Sequence, residues 1–155
     1  MFGLLKLMKA ILQRVKSAYV SVNNNKISSI NKGLLVFLGI KNNDDKQDVN
    51  YIINKIISLR IFNDNENKMN LSINDIQGEI LVVSQFTLYA NTKRGRRPSF
   101  VDAADPGLAK QIYDTFCSLL QTHNVNVKTG KFGANMEINL INEGPVTIIL
   151  DSNNK

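Results

Sequence analysis

The sequence predicts a mixed α/β fold in which layers of mixed β-sheet pack against two amphipathic helices. Apolar residues recur at helical spacing in two segments, whereas the other apolar runs have the length of strands. Several of those runs follow one another with connections too short for a helix. The chain has 155 residues, of which 43% are hydrophobic, so we expect one domain with a core of its own.

Strands are predicted from apolar runs bounded by polar or turn residues. Lys16-Ser17 interrupts the first run, so we expect two short strands there rather than one. Asn23-Asn24-Asn25 marks the turn that follows. The continuous apolar run Gly33–Ile40 is typical of a central strand buried on both faces. The predicted strands cover residues 8–15, 18–22, 26–30, 33–40, 79–83, 125–128, 136–141 and 146–150.

Each predicted helix begins with a capping signal. Asp44-Asp45 supplies an N-cap and negative charge before the apolar periodicity of Val49 to Ile57. Asp105-Pro106 places a capping carboxylate before a proline at the first helical position of the second helix. Between the helices, the polar segment 63–67 predicts a turn without the glycine and glutamate spacing of a calcium loop. The apolar positions of the second helix are Leu108, Ile112, Phe116, Leu119 and Leu120.

The reactive side chains exclude several kinds of chemistry. Cys117 is the only cysteine, so no disulfide can form within the chain, and its place in the second helix favours a small core residue. His123 is the only histidine and is predicted at the polar end of that helix, without an acidic partner. A Ser-His-Asp triad and a zinc site are therefore not expected. We predict no metal and no cofactor.

The charge of the chain suits a polyanionic partner. The net charge is +6, and four cations lie within five residues around a glycine and before a proline, which places them in a loop. By itself such a cluster is more often a solvated loop than a binding site. No apolar run approaches the ~18 residues of a membrane-spanning helix, and we expect a cytoplasmic protein. The four cations are Lys93, Arg94, Arg96 and Arg97.

Two segments carry residues that suit a binding site. Ser84-Gln85-Phe86-Thr87 places two hydroxyls and an amide at the end of a predicted buried strand, where side chains and backbone amides can contact a ligand. Gly144-Pro145 lies between two apolar runs, where a hairpin ordinarily carries Asn-Gly or Asp-Gly. It is either a turn that ends a strand or a rigid pair of outward-facing carbonyl groups. The residue types leave these alternatives open.

Six motifs, taken together and in order, resemble the D-aminoacyl-tRNA deacylase family. Any one of them alone would be weak, but their spacing is compatible from residue 8 to residue 150. The resemblance implies a deacylase-like domain at 8–150, with an N-terminal extension at 1–7 and a C-terminal tail at 151–155. The motifs are Gln13-Arg14-Val15, Gly33–Gly39, Ser84–Leu88, Arg97–Phe100, Thr129–Gly133 and Asn142–Thr147.

The resemblance implies a homodimer in which both subunits contribute to each active site. Ser84, Gln85, Phe86 and Thr87 of one subunit would form the catalytic segment, and a cis Gly144-Pro145 of the partner would reject L-aminoacyl groups. The substrate would be tRNA charged with a D-amino acid or with glycine. The 2′-hydroxyl of the terminal ribose of the tRNA would help water attack the ester. Backbone amides near Phe86 and Thr87 would hold the carbonyl; a nucleophilic Thr87 is the alternative, although no base for it is visible.

The resemblance also suggests roles for residues outside these segments. Arg14 would brace the Gly144-Pro145 loop, or else form a surface ion pair. Phe132 and Met136 would line an adenosine pocket, or else belong to the core. The four cations of the basic loop would contact tRNA phosphates. Two other functions stay open: a basic dimer that binds nucleic acid without chemistry, and a relative that corrects other mischarged tRNAs with a trans Gly-Pro bond.

Overall fold

The computed structural model describes residues 8–153, so the predicted extension at 1–7 lies outside the described residues. A short 3-10 helix at Phe86–Tyr89 follows the strand that ends at Ser84. No helix in the described range is long and apolar enough to span a membrane. The strands and helices are β1 (Lys9–Val22), β2 (Asn25–Ile30), β3 (Gly33–Gly39), α1 (Lys46–Ser58), β4 (Phe62–Asn63), β5 (Met69–Leu71), β6 (Glu79–Ser84), α2 (Pro106–Gln121), β7 (Asn126–Thr129) and β8 (Glu137–Asp151).

The main sheet is mixed and nearly closes into a barrel. Its strand order is β2-β1-β3-β6-β7, with β8 paired to β1 in addition. The β3–β6 and β6–β7 pairs are parallel, whereas β1 is antiparallel to β2, β3 and β8. The Ser28 hydroxyl of β2 donates to the Thr129 carbonyl of β7 at 2.8 Å, which brings the two ends of the strand order together. The predicted mixed α/β architecture with two helices is confirmed.

The central strands β3 and β6 are buried on both faces, as the continuous apolar run predicted. Their side chains alternate between two clusters, because successive residues of a strand point to opposite faces. Leu34 and Val36 belong to the cluster that includes the apolar faces of α1 and α2. Leu35 belongs to the second cluster, which includes Val15 and Val83 and is packed against by β8. The sheet therefore separates a helix layer from the interior of the barrel.

A tight hairpin joins β1 to β2. Val22 pairs with Asn25, so the turn contains only Asn23 and Asn24. Both turn residues have positive φ, 50° and 66°, which is the backbone of a type I′ turn that suits asparagine. The turn predicted at Asn23-Asn24-Asn25 is confirmed.

The prediction of two short strands before that turn is wrong. Lys16-Ser17 does not interrupt the strand, and β1 continues from Lys9 to Val22. The register with β8 shifts between Val15 and Ala18, so the polar residues lie at an irregularity of the ladder. β3 and β2 pair with successive parts of β1. Hydrogen bonds to these two strands therefore keep β1 extended where its own apolar pattern is interrupted.

The prediction of two separate C-terminal strands, at 136–141 and 146–150, is also wrong. Both halves of β8 run antiparallel to β1, so the chain does not reverse at Gly144-Pro145. The fold also extends beyond the predicted boundary at residue 150. Asp151 ends β8, and the buried Ser152 accepts a hydrogen bond from the Met8 amide at 2.8 Å. Pairing with β1, rather than local sequence, determines where this strand ends.

Both helices begin where the capping signals predicted. The Asp45 side chain accepts hydrogen bonds from the Gln47 and Asp48 amides, and the Asp48 side chain accepts one from the Asp45 amide. This reciprocal pair satisfies amides that have no carbonyl partner inside the helix. At α2 the Asp105 carboxylate accepts from the Gly107 amide at 3.2 Å, and Pro106 is the first helical residue.

A buried carboxyl group precedes α1. Asp44 is 9% exposed, and its Oδ2 accepts a hydrogen bond from the Lys41 amide at 2.7 Å. Its Oδ1 is buried and has no hydrogen-bond partner among the described residues. The pKa of Asp44 is raised to about 7, mainly by burial. The Asp48 and Asp45 carboxylates also raise this pKa, whereas the amide and the charge of Lys41 lower it.

We expect Asp44 to make the protein less stable as the pH rises from about 4 to about 7. In that interval the folded protein holds a proton on Asp44 that the unfolded chain has released, so the free energy of unfolding falls with pH. The loss is at most about 1.4 kcal/mol per pH unit. Urea unfolding at a series of pH values should show that Asp44→Asn removes this decline. Asp102→Asn, an exposed loop substitution, serves as the control; equal slopes for all three proteins would contradict the prediction.

Candidate active site

A cavity of about 670 Å³ opens at one end of the main sheet. The carboxyl ends of parallel strands meet at the same edge, and the residues that follow β3, β6 and β7 line this cavity. Ile40 follows β3, Gln85 follows β6 and Phe132 follows β7. The position of the cavity is thus a consequence of the parallel pairing of these three strands.

The predicted catalytic segment forms one wall of the cavity. Ser84, Gln85 and Phe86 line it, whereas Thr87 is not among the lining residues. The Gln85 amide nitrogen donates to the Leu38 carbonyl at 2.8 Å, which fixes the segment to β3. The Gln85 side-chain amide donates to the Thr87 hydroxyl oxygen. The neighbour of Thr87 is therefore a donor rather than a base that could remove its proton.

The short helix that follows Gln85 begins with two backbone amides that have no acceptor among the described residues. Its hydrogen bonds run from Leu88 to the Gln85 carbonyl and from Ala90 to the Thr87 carbonyl. The first amides of any helix lack a carbonyl partner within that helix. Among the described residues, the Phe86 and Thr87 amides have no hydrogen-bond partner, so they are free to bind an oxygen atom of a ligand.

Phe132 and Met136 lie in the cavity wall, as the resemblance implied. Both are half-buried, and the Phe132 ring contacts the Tyr113 ring with centroids 5.7 Å apart. The Met136 sulfur lies so close to Gly130 that an added Cβ there would stand 2.8 Å from it. Glycine at position 130 therefore allows Met136 to approach the end of β7.

Sequence reasoning did not assign Phe100 to the site. Its ring packs edge-on against the Phe86 ring, with centroids 5.1 Å apart and an angle of 71° between the planes, and both rings line the cavity. Phe86 is 56% exposed although it is a large apolar side chain. Phe100 belongs to the motif Arg97–Phe100, which could have indicated a role in the site. The sequence alone, however, does not show that its ring contacts Phe86.

The basic loop lies next to this aromatic pair. Asn91 and Ser99 exchange two backbone hydrogen bonds, of 2.8 and 2.9 Å, which close the loop at its base. The cations between them are exposed, and none forms an ion pair with another residue in the range 8–153. Because Phe100 directly follows the base of the loop, the positive charge is adjacent to the cavity. The exposed cations are Lys93, Arg94, Arg96 and Arg97.

Gly144 and Pro145 are exposed and do not line the cavity of their own chain. The peptide bond between them is cis, as the resemblance implied. Arg14 is 5% exposed and donates from Nε to the Glu143 carbonyl at 3.1 Å. Its Nη1 donates to the Ile61 carbonyl at 2.9 Å and to Asn63 Oδ1 at 3.1 Å. All three acceptors are neutral and the side chain is buried, so Arg14 does not form a surface ion pair. The contact with the Glu143 carbonyl favours the alternative, in which Arg14 braces the Gly144-Pro145 loop.

The thiol and the imidazole lie outside the cavity. Burial raises the pKa of the Cys117 thiol to about 12, so it stays protonated at neutral pH and is a poor nucleophile. His123 follows the end of α2, and its carbonyl accepts a hydrogen bond from Asn74 at 3.0 Å. Both interpretations from the sequence, a core cysteine and a histidine at the helix end, are confirmed.

Comparisons with known proteins identify the family to which the chain belongs. The D-Tyr-tRNA(Tyr) deacylase family model matches residues 11–151. A D-aminoacyl-tRNA deacylase of Thermosipho melanesiensis is 55% identical over 146 residues, which cover 94% of this chain and 97% of the relative. The chain belongs to the D-Tyr-tRNA(Tyr) deacylase family. The resemblance drawn from the six motifs is confirmed.

Two solved structures have the same fold. A structure named c-Myc DNA Unwinding Element Binding Protein superposes with a TM-score of 0.86 and 40% identity, over 92% of this chain and 97% of that one. A probable eukaryotic D-amino acid tRNA deacylase superposes with a TM-score of 0.81 over 94% and 99% of the two chains. At 18% identity, the second similarity concerns the fold alone.

We expect Arg14→Met to destabilise the protein. The substitution keeps an unbranched side chain but removes the donors to the Ile61 carbonyl, the Glu143 carbonyl and Asn63. Leaving buried carbonyls unpaired costs about 2–3 kcal/mol, which lowers the melting temperature by about 5–10 °C.

Calorimetry of Arg14→Met, Arg14→Lys and the exposed control Arg60→Met tests this. Arg14→Lys should fall between wild type and Arg14→Met, because an ammonium group lacks the planar fork of donors. A melting temperature for Arg14→Met equal to that of Arg60→Met would show that the three contacts do not stabilise the fold.

Proposed function

We propose that this member of the deacylase family hydrolyses the ester bond of tRNA charged with a D-amino acid or with glycine. Water adds to the ester carbonyl carbon, the bond to the ribose oxygen breaks, and that oxygen takes a proton, releasing free amino acid and tRNA. The observation that carries the proposal is the cavity whose wall contains the motif residues Ser84, Gln85 and Phe86. The enzyme would work in the cytoplasm, where tRNA is charged.

The chemistry needs little from the side chains, because the ester is already activated and the neighbouring 2′-hydroxyl of the ribose can assist the water. The free Phe86 and Thr87 amides would bind the carbonyl oxygen as negative charge develops on it. Thr87 acts through its backbone, since its hydroxyl faces the Gln85 amide rather than a base. The main contribution of the cavity is to orient the ester.

We propose that selectivity comes from Gly144-Pro145 of a partner subunit. A D-aminoacyl group can place its amine and hydrogen against the two carbonyls with its side chain directed away. An L side chain would need the space that this backbone fills, so it is excluded. Glycine has no side chain to exclude and would be accepted as a substrate. Phe132 and Met136, which line the same cavity, would contact the terminal adenosine.

A homodimer would explain why the motif residues are divided between two places in one chain. Gly144-Pro145 is exposed and lies away from the cavity lining, so a single chain holds an incomplete site. The same strand also exposes Ile141 at 55% and Ile149 at 73%, and its outer edge has no strand partner among the described residues. Exposed apolar residues on an unpaired strand are typical of a protein interface.

A second candidate function is nucleic-acid binding without chemistry. Its support is the net charge of +6, the exposed basic loop and the similar structure whose name describes a DNA-unwinding-element binding protein. The two candidates differ in whether the ester is cut, so one assay separates them.

We expect the purified protein to hydrolyse D-tyrosyl-tRNA about 100-fold or more faster than L-tyrosyl-tRNA. The reason is the exclusion of the L side chain, and the measurement is the loss of labelled amino acid from precipitated tRNA. Glycyl-tRNA should be hydrolysed as well. Cys117→Ala should retain the rate, because the buried thiol takes no part. Binding of both tRNAs without ester loss would favour the second candidate.

We expect Arg96→Glu combined with Arg97→Glu to weaken tRNA binding and to flatten its salt dependence. Each phosphate contact releases counterions, so losing two contacts should reduce the slope of log K against log salt by about 1.4–1.8. Filter binding at several salt concentrations measures both quantities. Lys46→Glu combined with Lys68→Glu makes the same charge change at exposed positions away from the cavity. If this control pair alters the slope equally, the effect is one of net charge and not of the loop.

A further inference from the structure

The Gly144-Pro145 segment lies in a bulge of β8, where the regular pairing with β1 is interrupted. Gln13 pairs with Thr147 and Val15 pairs with Asn142. Between these pairs β1 has the single residue Arg14, whereas β8 has the four residues 143–146. Most of the bulge therefore has no opposing backbone on β1, and its position depends on side chains.

The two ends of the bulge are held by different side chains. At the start, Arg14 Nε donates to the Glu143 carbonyl. At the end, Asn142 Oδ1 accepts a hydrogen bond from the Val146 amide at 3.0 Å. Gly144 and Pro145 lie between these two contacts and are exposed to solvent.

Asn142 is itself fixed by a third contact. Its Nδ2 donates to the Thr147 hydroxyl oxygen at 2.9 Å, and the same oxygen accepts from Gln13 Nε2 at 3.3 Å. The Asn142 side chain thus spans the base of the bulge, from the Val146 amide to the first residue after the bulge that pairs with β1. An amide side chain carries an acceptor and a donor on two separate atoms, which suits these two contacts at once.

We infer that Asn142 is a positioning residue for the Gly144-Pro145 carbonyls, and that Thr147 holds Asn142 in the orientation this requires. The inference rests on the proposed function, in which those carbonyls exclude L-aminoacyl groups. Exclusion works only if the excluding backbone keeps its place, because a segment that moves aside admits the L side chain and aligns the D substrate less well. Arg14 holds the start of the segment, so loss of Asn142 removes the side-chain contact at its other end.

The substitutions separate the two contacts of Asn142. Asn142→Ala removes both, whereas Asn142→Asp keeps the acceptor for the Val146 amide and loses the donor to Thr147. Thr147→Val removes the oxygen that holds Asn142, and Thr147→Ser retains it. Asn54→Ala, on the exposed side of α1, is the matched control for loss of an asparagine.

The test compares kcat/KM for D-tyrosyl-tRNA and L-tyrosyl-tRNA, together with hydrogen exchange of the Val146 amide. We expect Asn142→Ala to lower the ratio of the two kcat/KM values by about tenfold, the equivalent of one hydrogen bond, with KM for tRNA changed less than twofold. Thr147→Val and Asn142→Asp lose the contact between these two side chains but keep the acceptor for the Val146 amide, so they should lower the ratio less. Thr147→Ser should retain the wild-type ratio. Exchange of the Val146 amide should be faster in Asn142→Ala than in Asn54→Ala.

Three results would overturn the inference in different ways. If wild type is selective and Asn142→Ala and Thr147→Val keep the same ratio, Asn142 does not position the carbonyls, and the proposed function stands. If wild type itself does not distinguish the D from the L substrate, the proposed selectivity fails and the assignment fails with it. A melting temperature lowered in Asn142→Ala with an unchanged ratio shows a structural role only and also overturns the inference.

Discussion

Parallel pairing of three strands, two of which are buried on both faces, is the constraint on which the site depends. β3 and β6 have apolar side chains on both faces, so they can lie only between the helix layer and the barrel interior. β7 continues this parallel arrangement beside β6. Because the three strands run in one direction, the segments that leave them converge at one edge of the sheet and enclose the cavity there.

The same arrangement explains how a weakly reactive set of residues can form an active site. The cavity wall contains hydroxyl, amide and aromatic groups, while the thiol is buried in the helix layer with a raised pKa. What the fold provides is a fixed strand end followed by backbone amides that no internal carbonyl uses. Such a site suits the hydrolysis of an activated ester, in which orientation and binding of the carbonyl oxygen matter more than a strong nucleophile.

Long strands with irregular registers carry the other half of the proposed site. β1 pairs with β8 on both sides of the bulge, so the bulge can protrude without breaking the strand. A proline is tolerated there because it lies in the bulge of an edge strand rather than in a regular ladder. The buried guanidinium of Arg14 links this bulge to the residues that begin the small β4–β5 sheet, and thereby connects parts of the chain that are remote in sequence.

The sequence by itself determined the helices, the central strands and the family. Capping carboxylates and helical periodicity are local signals, and the run Gly33–Ile40 shows burial on both faces without reference to any partner. The sequence did not determine that β1 is continuous or that Gly144-Pro145 lies within one strand. The continuity of β1 depends on its pairing with β2, β3 and β8. The place of Gly144-Pro145 depends on pairing between residues more than a hundred positions apart. Phe100 likewise required the tertiary structure, because its ring reaches Phe86 across the intervening basic loop. The Asn142 contacts join residues that are close in sequence, but they depend on the bulge in β8, which arises from the pairing with β1.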